Sequence, residues 1–322
     1  MAEEAIETTP VKARRKGRWQ AWVLGAALAA LAIVVGALVW LDTAAGHRFL
    51  ITRIERIAPA SGLKIRVGAI EGSIYRKAVL RDLTLSDPRG AFLDARRVEL
   101  DWWPFAWLSN RLDIDRLAIP AATLHKLPRL NPSTEQGPIL PDFDIRLMEF
   151  SVGRLTVAKG IAGPERIATL RGDADIRSGR AIIDFDARVL DGDDALKFTL
   201  DSRPDDDRFR LDGVLNAPAG GVLAAMLGTK QDANLSLSGK GGWTRWDGQA
   251  TATLNARSVA ALKLTARSGE YGLDGSIDGA ALPGDGLLQR LTAPRLLLSG
   301  KGTLVNRLLD GQLAVRSAAI DL

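Results

Sequence analysis

The 322-residue chain contains no cysteine. That excludes disulfide staples, thiolate metal sites and thiol nucleophiles. Its 2 histidines, His47 and His125, stand far apart. A histidine-built zinc site or a serine–histidine triad has little to draw on. Aromatic residues make up 6% of the chain, and the formal charge is a mild +5. Nucleic-acid binding asks for basic stripes interleaved with aromatic rings, so no nucleic-acid partner is expected. Calcium loops need an ordered set of oxygen ligands. The acidic runs Asp191-Gly192-Asp193-Asp194 and Asp205-Asp206-Asp207 lack one and read as solvated hairpin turns. Gly239-Lys240-Gly241-Gly242 has no serine or threonine after its lysine, so it reads as turn material and not as a phosphate loop. The expectation is a protein that is not an enzyme, with no catalytic residues, no cofactor and no metal.

Long apolar runs are also scarce. The chain has one, Trp19 to Leu41, which carries no charge. About twenty apolar residues cross a hydrocarbon layer of roughly 30 Å. Trp19, Trp22 and Trp40 stand near its ends, where amphipathic rings prefer the headgroup level. Lys12, Arg14, Arg15, Lys16 and Arg18 precede it and hold the N-terminus in the cytoplasm by the positive-inside rule. The competing reading is a cleaved signal ending near Thr43-Ala44-Ala45. Signal cores are usually about 7–15 residues, and this run is longer. A single-pass anchor in the inner (plasma) membrane is therefore expected, with the bulk of the chain on the far, periplasmic side.

Behind the anchor, Leu50, Ile54 and Ile57, with Ile51 and Ala58, form one apolar stripe at helical spacing. Arg48, Arg53 and Arg56 lie off it. The stripe predicts a short amphipathic helix that caps the next domain, lies on the outer leaflet, or does both. From residue 63 the period changes to 2. Leu63, Ile65 and Val67 alternate with Lys64 and Arg66. Similar runs hold Val98 and Leu100, Phe185 and Val189, Phe198 and Leu200, Leu237, Leu254, Leu264, Leu298 and Val315. Such alternation marks strands with one dry and one wet face. Seven dipeptides read as hairpin turns: Ser178-Gly179, Asp191-Gly192, Asp247-Gly248, Ser268-Gly269, Asp274-Gly275, Ser299-Gly300 and Asp310-Gly311. Antiparallel pairing should therefore dominate. Short helices are expected at 220–227 and 287–291. Four prolines between Leu127 and Pro141 read as a loop between two strand blocks.

The pattern divides the chain into six regions. They are a basic tail (1–18), an anchor (19–41), a juxtamembrane helix (42–60), a first β block (61–126), a proline-rich loop (127–141) and a β region (142–322). The dry faces are mostly aliphatic. Periodicity leaves two architectures open: an ordinary sandwich core, or a sheet bent into a trough whose aliphatic floor could hold acyl chains. Trp102, Trp103, Phe105 and Trp107 read either as a packed plug where the sheet begins or as an aromatic collar at the membrane.

Residues 63–157 bear on that choice. Glu71-Gly72-Ser73-Ile74, Leu100-Asp101-Trp102-Trp103-Pro104, the paired short strands Leu112-Asp113-Ile114 and Leu117-Ala118-Ile119, and Leu140-Pro141 follow one another behind the anchor. In order and spacing this region resembles the N-terminal portion of the TamB (translocation and assembly module subunit) family of the AsmA-like superfamily. The resemblance covers about residues 20–160 and reaches the later strands only in general pattern. It implies a mainly β fold: a transmembrane helix, a short amphipathic helix, and a long antiparallel-rich sheet curved into a groove, a β-taco. It also implies phospholipid transport between inner and outer membranes, outer-membrane biogenesis and protein assembly. An outer-membrane barrel of the Omp85 family (TamA-like) would be engaged through a C-terminal region not present in this sequence. Family members are much longer, so the expectation is an N-terminal fragment or a shortened relative. The groove lining expected is Val98, Leu100, Phe185, Val189, Phe198, Leu200, Leu237, Leu254, Leu264, Leu298 and Val315. The alternative function is an assembly scaffold that binds partners by strand addition, without lipid transport.

Overall fold

The computed structural model describes residues 18–56, 61–131, 143–177, 179–281, 295–305 and 308–317. Lys12, Arg14, Arg15, Lys16, Ile57, Ala58, the helix expected at 287–291 and most of the proline-rich loop lie outside the described residues. So do the side chains of Arg18, Trp19 and Trp22.

Helix α1 (Arg18–Leu41) runs for 24 residues. At 1.5 Å per residue that is about 36 Å. Every described side chain from Leu28 to Ala37 is exposed. Among the described residues no single helix is long and apolar enough to cross a membrane; the stretch Leu28–Leu41 passes that test only as a pair with the next helix, bent by 78°. That next helix is α2 (Ala44–Glu55), capped by the Thr43 hydroxyl, which accepts from the Gly46 N–H. The backbones crowd at the bend: a Cβ on Gly46 would lie 2.4 Å from the Trp40 carbonyl oxygen. His47 is buried, and Leu50, Ile51 and Ile54 are half-buried. This stripe faces the sheet, and α2 packs against its first strands. The capping role read from the stripe is therefore what the helix has.

The remaining chain builds one large sheet. Its early strands are β1 (Lys64–Arg66), β2 (Ala69–Gly72), β3 (Lys77–Asp87), β4 (Gly90–Trp102), β5 (Arg111–Ile119), β6 (Ala122–Leu124), β7 (Asp144–Val157) and β8 (Arg166–Arg177). Then come β9 (Arg180–Val189), β10 (Ala195–Arg203), β11 (Arg208–Ala217), β12 (Ala233–Gly241) and β13 (Arg245–Leu254). The last are β14 (Arg257–Arg267), β15 (Glu270–Asp278), β16 (Arg295–Val305) and β17 (Leu308–Arg316). From β7 onward each strand pairs antiparallel with the next. β1 and β2 share one rank against β3, and β5 and β6, split by Pro120, share one between β4 and β7. Both pair parallel to β7, a departure from the antiparallel pattern. The sheet is thus continuous across residues 127–141, which do not separate two sheets. The 17 strands, less the two that share ranks, make fifteen ranks. Fourteen spacings of about 4.8 Å give roughly 67 Å.

The turn signals divide. Asp191-Gly192, Ser268-Gly269 and Gly179 fall between strands, as predicted, while Ser178 lies outside the described residues. Asp247-Gly248, Asp274-Gly275, Ser299-Gly300 and Asp310-Gly311 lie within strands. Gly239-Lys240-Gly241 also lies within β12 and not in a turn. One hairpin instead turns on Asn255-Ala256, both at positive φ. Gly72 does make the predicted bend: its φ is +81°, and a Cβ would meet the Lys77 carbonyl oxygen at 2.5 Å.

The acidic runs are more than solvated turns. Asp194 is 4% exposed and accepts from the Leu223 N–H at 2.8 Å. It thereby caps α3 (Val222–Met226), the helix expected near residues 220–227. Asp207 accepts from the backbone and hydroxyl of Thr244, tying the β10–β11 turn to the β12–β13 turn. Asp87 accepts from the N–H groups of Arg129 and Arg89 and from Lys126 Nζ. These bonds, led by that from Arg129, outweigh burial and hold its carboxyl at about 2.

Two outcomes follow. Asp194→Ala should cost about 1–2 kcal/mol in urea denaturation, because the Leu223 N–H is left without its acceptor. Asp87 is held below the ordinary carboxylate value of about 3.9, so its contribution is full above pH 4 and fades toward pH 2. The difference in Tm between the native chain and Asp87→Asn should shrink over that window; a difference unchanged with pH would refute the clamp.

Candidate functional site: an apolar face crossed by glycine rows

Residues directly opposed in a ladder share a face, so the register assigns every strand residue to one side. One face carries Leu200, Leu211, Leu264 and Leu273 in a single row across the strands. The opposite face carries Thr199, Asp212, Ser238, Gln249, Lys263 and Asp274 one residue away. Val98, Leu100, Phe185, Val189, Phe198, Leu200, Leu237, Leu254, Leu264, Leu298 and Val315 all fall on the first face. The structure therefore brings every residue of the expected lining to one side of one sheet.

That face is only partly covered. Val98 and Val189 are buried, but Leu200, Leu237, Leu264, Leu298 and Val315 are half-buried. Leu235 and Leu313 are 39% and 60% exposed. Val157 is the largest side chain that is fully buried among the described residues. All described strands belong to the one sheet, so no second sheet is present among them. What covers the face is local. Val222 of α3 packs with Val157, Ala168 and Val189, while Ala224 packs with Ala217 and Ala233. One short helix thus plugs the face at one end of the strands, between β7 and β13.

At the other end of the strands lies an aromatic cluster that the alternation pattern did not single out. Trp246 is 5% exposed, and its ring meets Phe209 edge-on at 5.2 Å. It lies over Gly239 and Gly248; a Cβ on either would stand 1.9 Å or 2.4 Å from the indole. The signal available was the spacing of these glycines around a tryptophan in facing strands, legible only once the register was known.

Two register rows run side by side here. One is Leu211–Gly239–Gly248–Leu264–Leu273–Gly300–Leu313, and the other is Phe209–Gly241–Trp246–Ala266–Tyr271–Gly302–Gly311. A cavity of about 550 Å³ follows them from β11 to β17, with Leu264, Leu273 and Leu313 on its walls and Gly300, Gly302 and Gly311 in its floor. Thr265, Lys301 and Gln312 contribute from its margin. It runs across the strands, over six spacings or about 29 Å of sheet. Such a mid-strand glycine removes a side chain from the floor while keeping the ladder.

The opposite face is laced with Arg–Asp pairs. Asp201 meets Arg203 at 2.9 Å and Arg208 at 2.8 Å, and Asp247 meets Arg267 at 2.6 Å. Arg267 is also the main reason that the Asp247 carboxyl stays below the ordinary range. Asp201 is buried between its two arginines, while the Asp247–Arg267 pair is open to water and screened by it. The pairs keep that face wet, so the two sides of the sheet differ sharply in polarity.

Around Trp102 the structure corrects the reading of a packed plug. Trp102 is half-buried on the apolar face, opposite Ile114. Trp103, Phe105 and Trp107 are 52%, 36% and 58% exposed. They sit on or beside a 3₁₀ turn, Pro104–Ser109, which pulls them off the sheet. Trp40, at the end of α1, is 46% exposed.

No family model, curated protein or solved structure matches this chain.

Gly239→Val should force Trp246 out of its seat. The expected loss is about 1–3 kcal/mol from overpacking, read by urea denaturation. Trp246→Ala in the same background should restore part of it, because the collision is with the indole. Equal losses in both backgrounds would show that the ring is not what requires the glycine.

Proposed function

We propose that this chain is a membrane-anchored lipid conduit of the AsmA-like, TamB-related kind. Helix α1 crosses the inner membrane with its N-terminus in the cytoplasm, and the sheet curves into a periplasmic groove, a β-taco. The groove passes phospholipid between inner and outer membranes and so serves outer-membrane biogenesis and protein assembly. An Omp85-family, TamA-like barrel is the partner this reading assigns to the outer membrane.

One observation carries the reading. A continuous aliphatic face crosses all fifteen ranks, and α3 covers only one end of it. Monomeric soluble proteins rarely expose contiguous apolar patches beyond a few hundred Å². An acyl chain suits this face chemically, because it makes no hydrogen bonds and the face offers few. The cavity supports the same reading, since it follows register rows from rank to rank instead of forming a closed pit. The exposed apolar surface of α1 supports the anchor. A helix hydrophobic all round belongs in a core or a bilayer, and the side chains from Leu28 to Ala37 are all exposed.

The scaffold reading has one point in its favour. β17 pairs with β16 alone among the described strands, and an edge strand is a template for strand addition.

A photoreactive residue at Leu264 or Leu313, in cells, should trap phospholipid. At Lys263 or Asp274, on the opposite face and outside the cavity, it should not. Adducts to protein alone at Leu264 and Leu313 would exclude the conduit; adducts concentrated along β17 would favour the scaffold.

A further inference from the structure

The corner of the sheet nearest α1 carries apolar surface that neither the groove nor the core uses. The β2–β3 turn is pinned to the end of α1. Tyr75 Oη donates to the Leu38 carbonyl at 2.6 Å, and the Ile74 N–H donates to Asp42 Oδ1 at 2.8 Å. The Phe105 ring stacks on Tyr75 with centroids 5.5 Å apart and planes within 10°. Trp103 meets Phe105 edge-on at 5.4 Å. The 3₁₀ turn is therefore held beside the last turn of α1. Within it only Ala106 is buried, while Trp107 is 58% and Leu108 is 85% exposed. Asn110, at a φ of +54°, returns the chain to β5.

Turns in water usually carry glycine, proline, asparagine or serine. This one presents two tryptophans, a phenylalanine and a leucine. On the other side of the junction, Trp40 and Phe49 are 46% and 44% exposed and 5.8 Å apart. Arg53 lies over the Phe49 ring at 5.4 Å. Exposed Trp beside arginine is the composition that the headgroup region favours. The height agrees. Leu38 lies three residues before the end of α1, so whatever is bonded to it sits near the level where α1 leaves the bilayer.

We infer that the turn Trp103–Leu108 inserts into the outer leaflet of the membrane that α1 crosses, as a second, monotopic contact. Its partner is a phospholipid bilayer surface. The inference rests on α1 being a membrane anchor, and it adds a consequence. A single helix leaves the sheet free to swing, whereas two contacts seat its first ranks on the leaflet. Trp102, which ends β4 on the apolar face, is covalently next to the inserted turn. The groove then begins where acyl chains already are.

Because the chain lacks cysteine, one introduced thiol reports one position. Leu108→Cys, Leu31→Cys in α1, and Leu190→Cys at the opposite end of the strands would each carry an NBD fluorophore. Each full-length variant would be reconstituted in 3:1 phosphatidylethanolamine:phosphatidylglycerol vesicles containing lipid spin-labelled at acyl carbon 5 or 12. The Leu108 probe should be quenched at least twofold more by the carbon-5 label than by the carbon-12 label. The Leu31 probe should be quenched by lipid-borne label and the Leu190 probe by neither. A Leu108 probe quenched by neither label, beside a quenched Leu31 probe, overturns the leaflet contact and leaves the anchor standing. If that unquenched probe is also blue-shifted, the turn is held by protein, which equally overturns it. Loss of quenching at both Leu108 and Leu31 overturns the anchor and this inference together.

Discussion

The structure depends on one constraint: across fifteen ranks, opposed residues must keep their side. The side-chain period of a strand is 2, so a slip of one residue sends every following side chain to the wrong face. The chain meets this even where the ladder is irregular. The register shifts in β7 between Leu147 and Phe150 and again between Val152 and Leu155. At both places the aliphatic spacing changes from two residues to three, so all four side chains stay on the apolar face. A bulge adds a residue and would otherwise invert the strand. Sequence pattern and backbone irregularity compensate locally, and the face passes unbroken through the junction where β5 and β6 run parallel to β7.

Much of this was legible in the sequence. Aliphatic alternation located most strands, and the residues named for the lining share one face. The helix near residue 222 was legible from its apolar run. The four mid-strand glycine dipeptides were misread for a physical reason. A tight turn and a channel floor both need a position without a side chain, and the dipeptide does not say which. Gly300 and Gly311 show the second case, since both lie in the floor of the cavity. The parallel pairing of β5 and β6 with β7 was not legible, because alternation is the same for either direction. Nor were the roles of Asp194 and Asp87, whose partners lie 29 and 42 residues away in the chain.

The exposed aromatic turn shows a different limit. Composition placed four large rings between Trp102 and Trp107, and bulky rings normally supply core area. Yet the strand ends at Trp102, and the 3₁₀ turn that begins at Pro104 has only one inward position, which Ala106 takes. The rings face out because the turn is too short to bury them. Which way a ring points in a six-residue turn depends on its hydrogen bonds, here the return through Asn110 to Trp107, and not on hydrophobicity.

A single layer with two unlike faces has an energetic consequence. Fully burying a leucine stabilises by about 1.5–3 kcal/mol relative to exposure, and a half-buried one realises only part of that. On the polar face, the Arg–Asp pairs that are open to water, such as Asp247–Arg267, add little. The sheet is therefore held chiefly by its continuous ladder and by the small buried residues Ala95, Val98, Ala122 and Val152, with α3 closing one end. The larger side chains farther along, Leu264, Leu273 and Leu313, remain partly open over a glycine floor. An apolar occupant would complete their burial without breaking a hydrogen bond. In a closed sandwich that free energy belongs to folding. In a single layer it stays unrealised in the fold; under the proposed conduit reading it would be left for binding, spread over many ranks, so that no single position along the face need hold an acyl chain tightly.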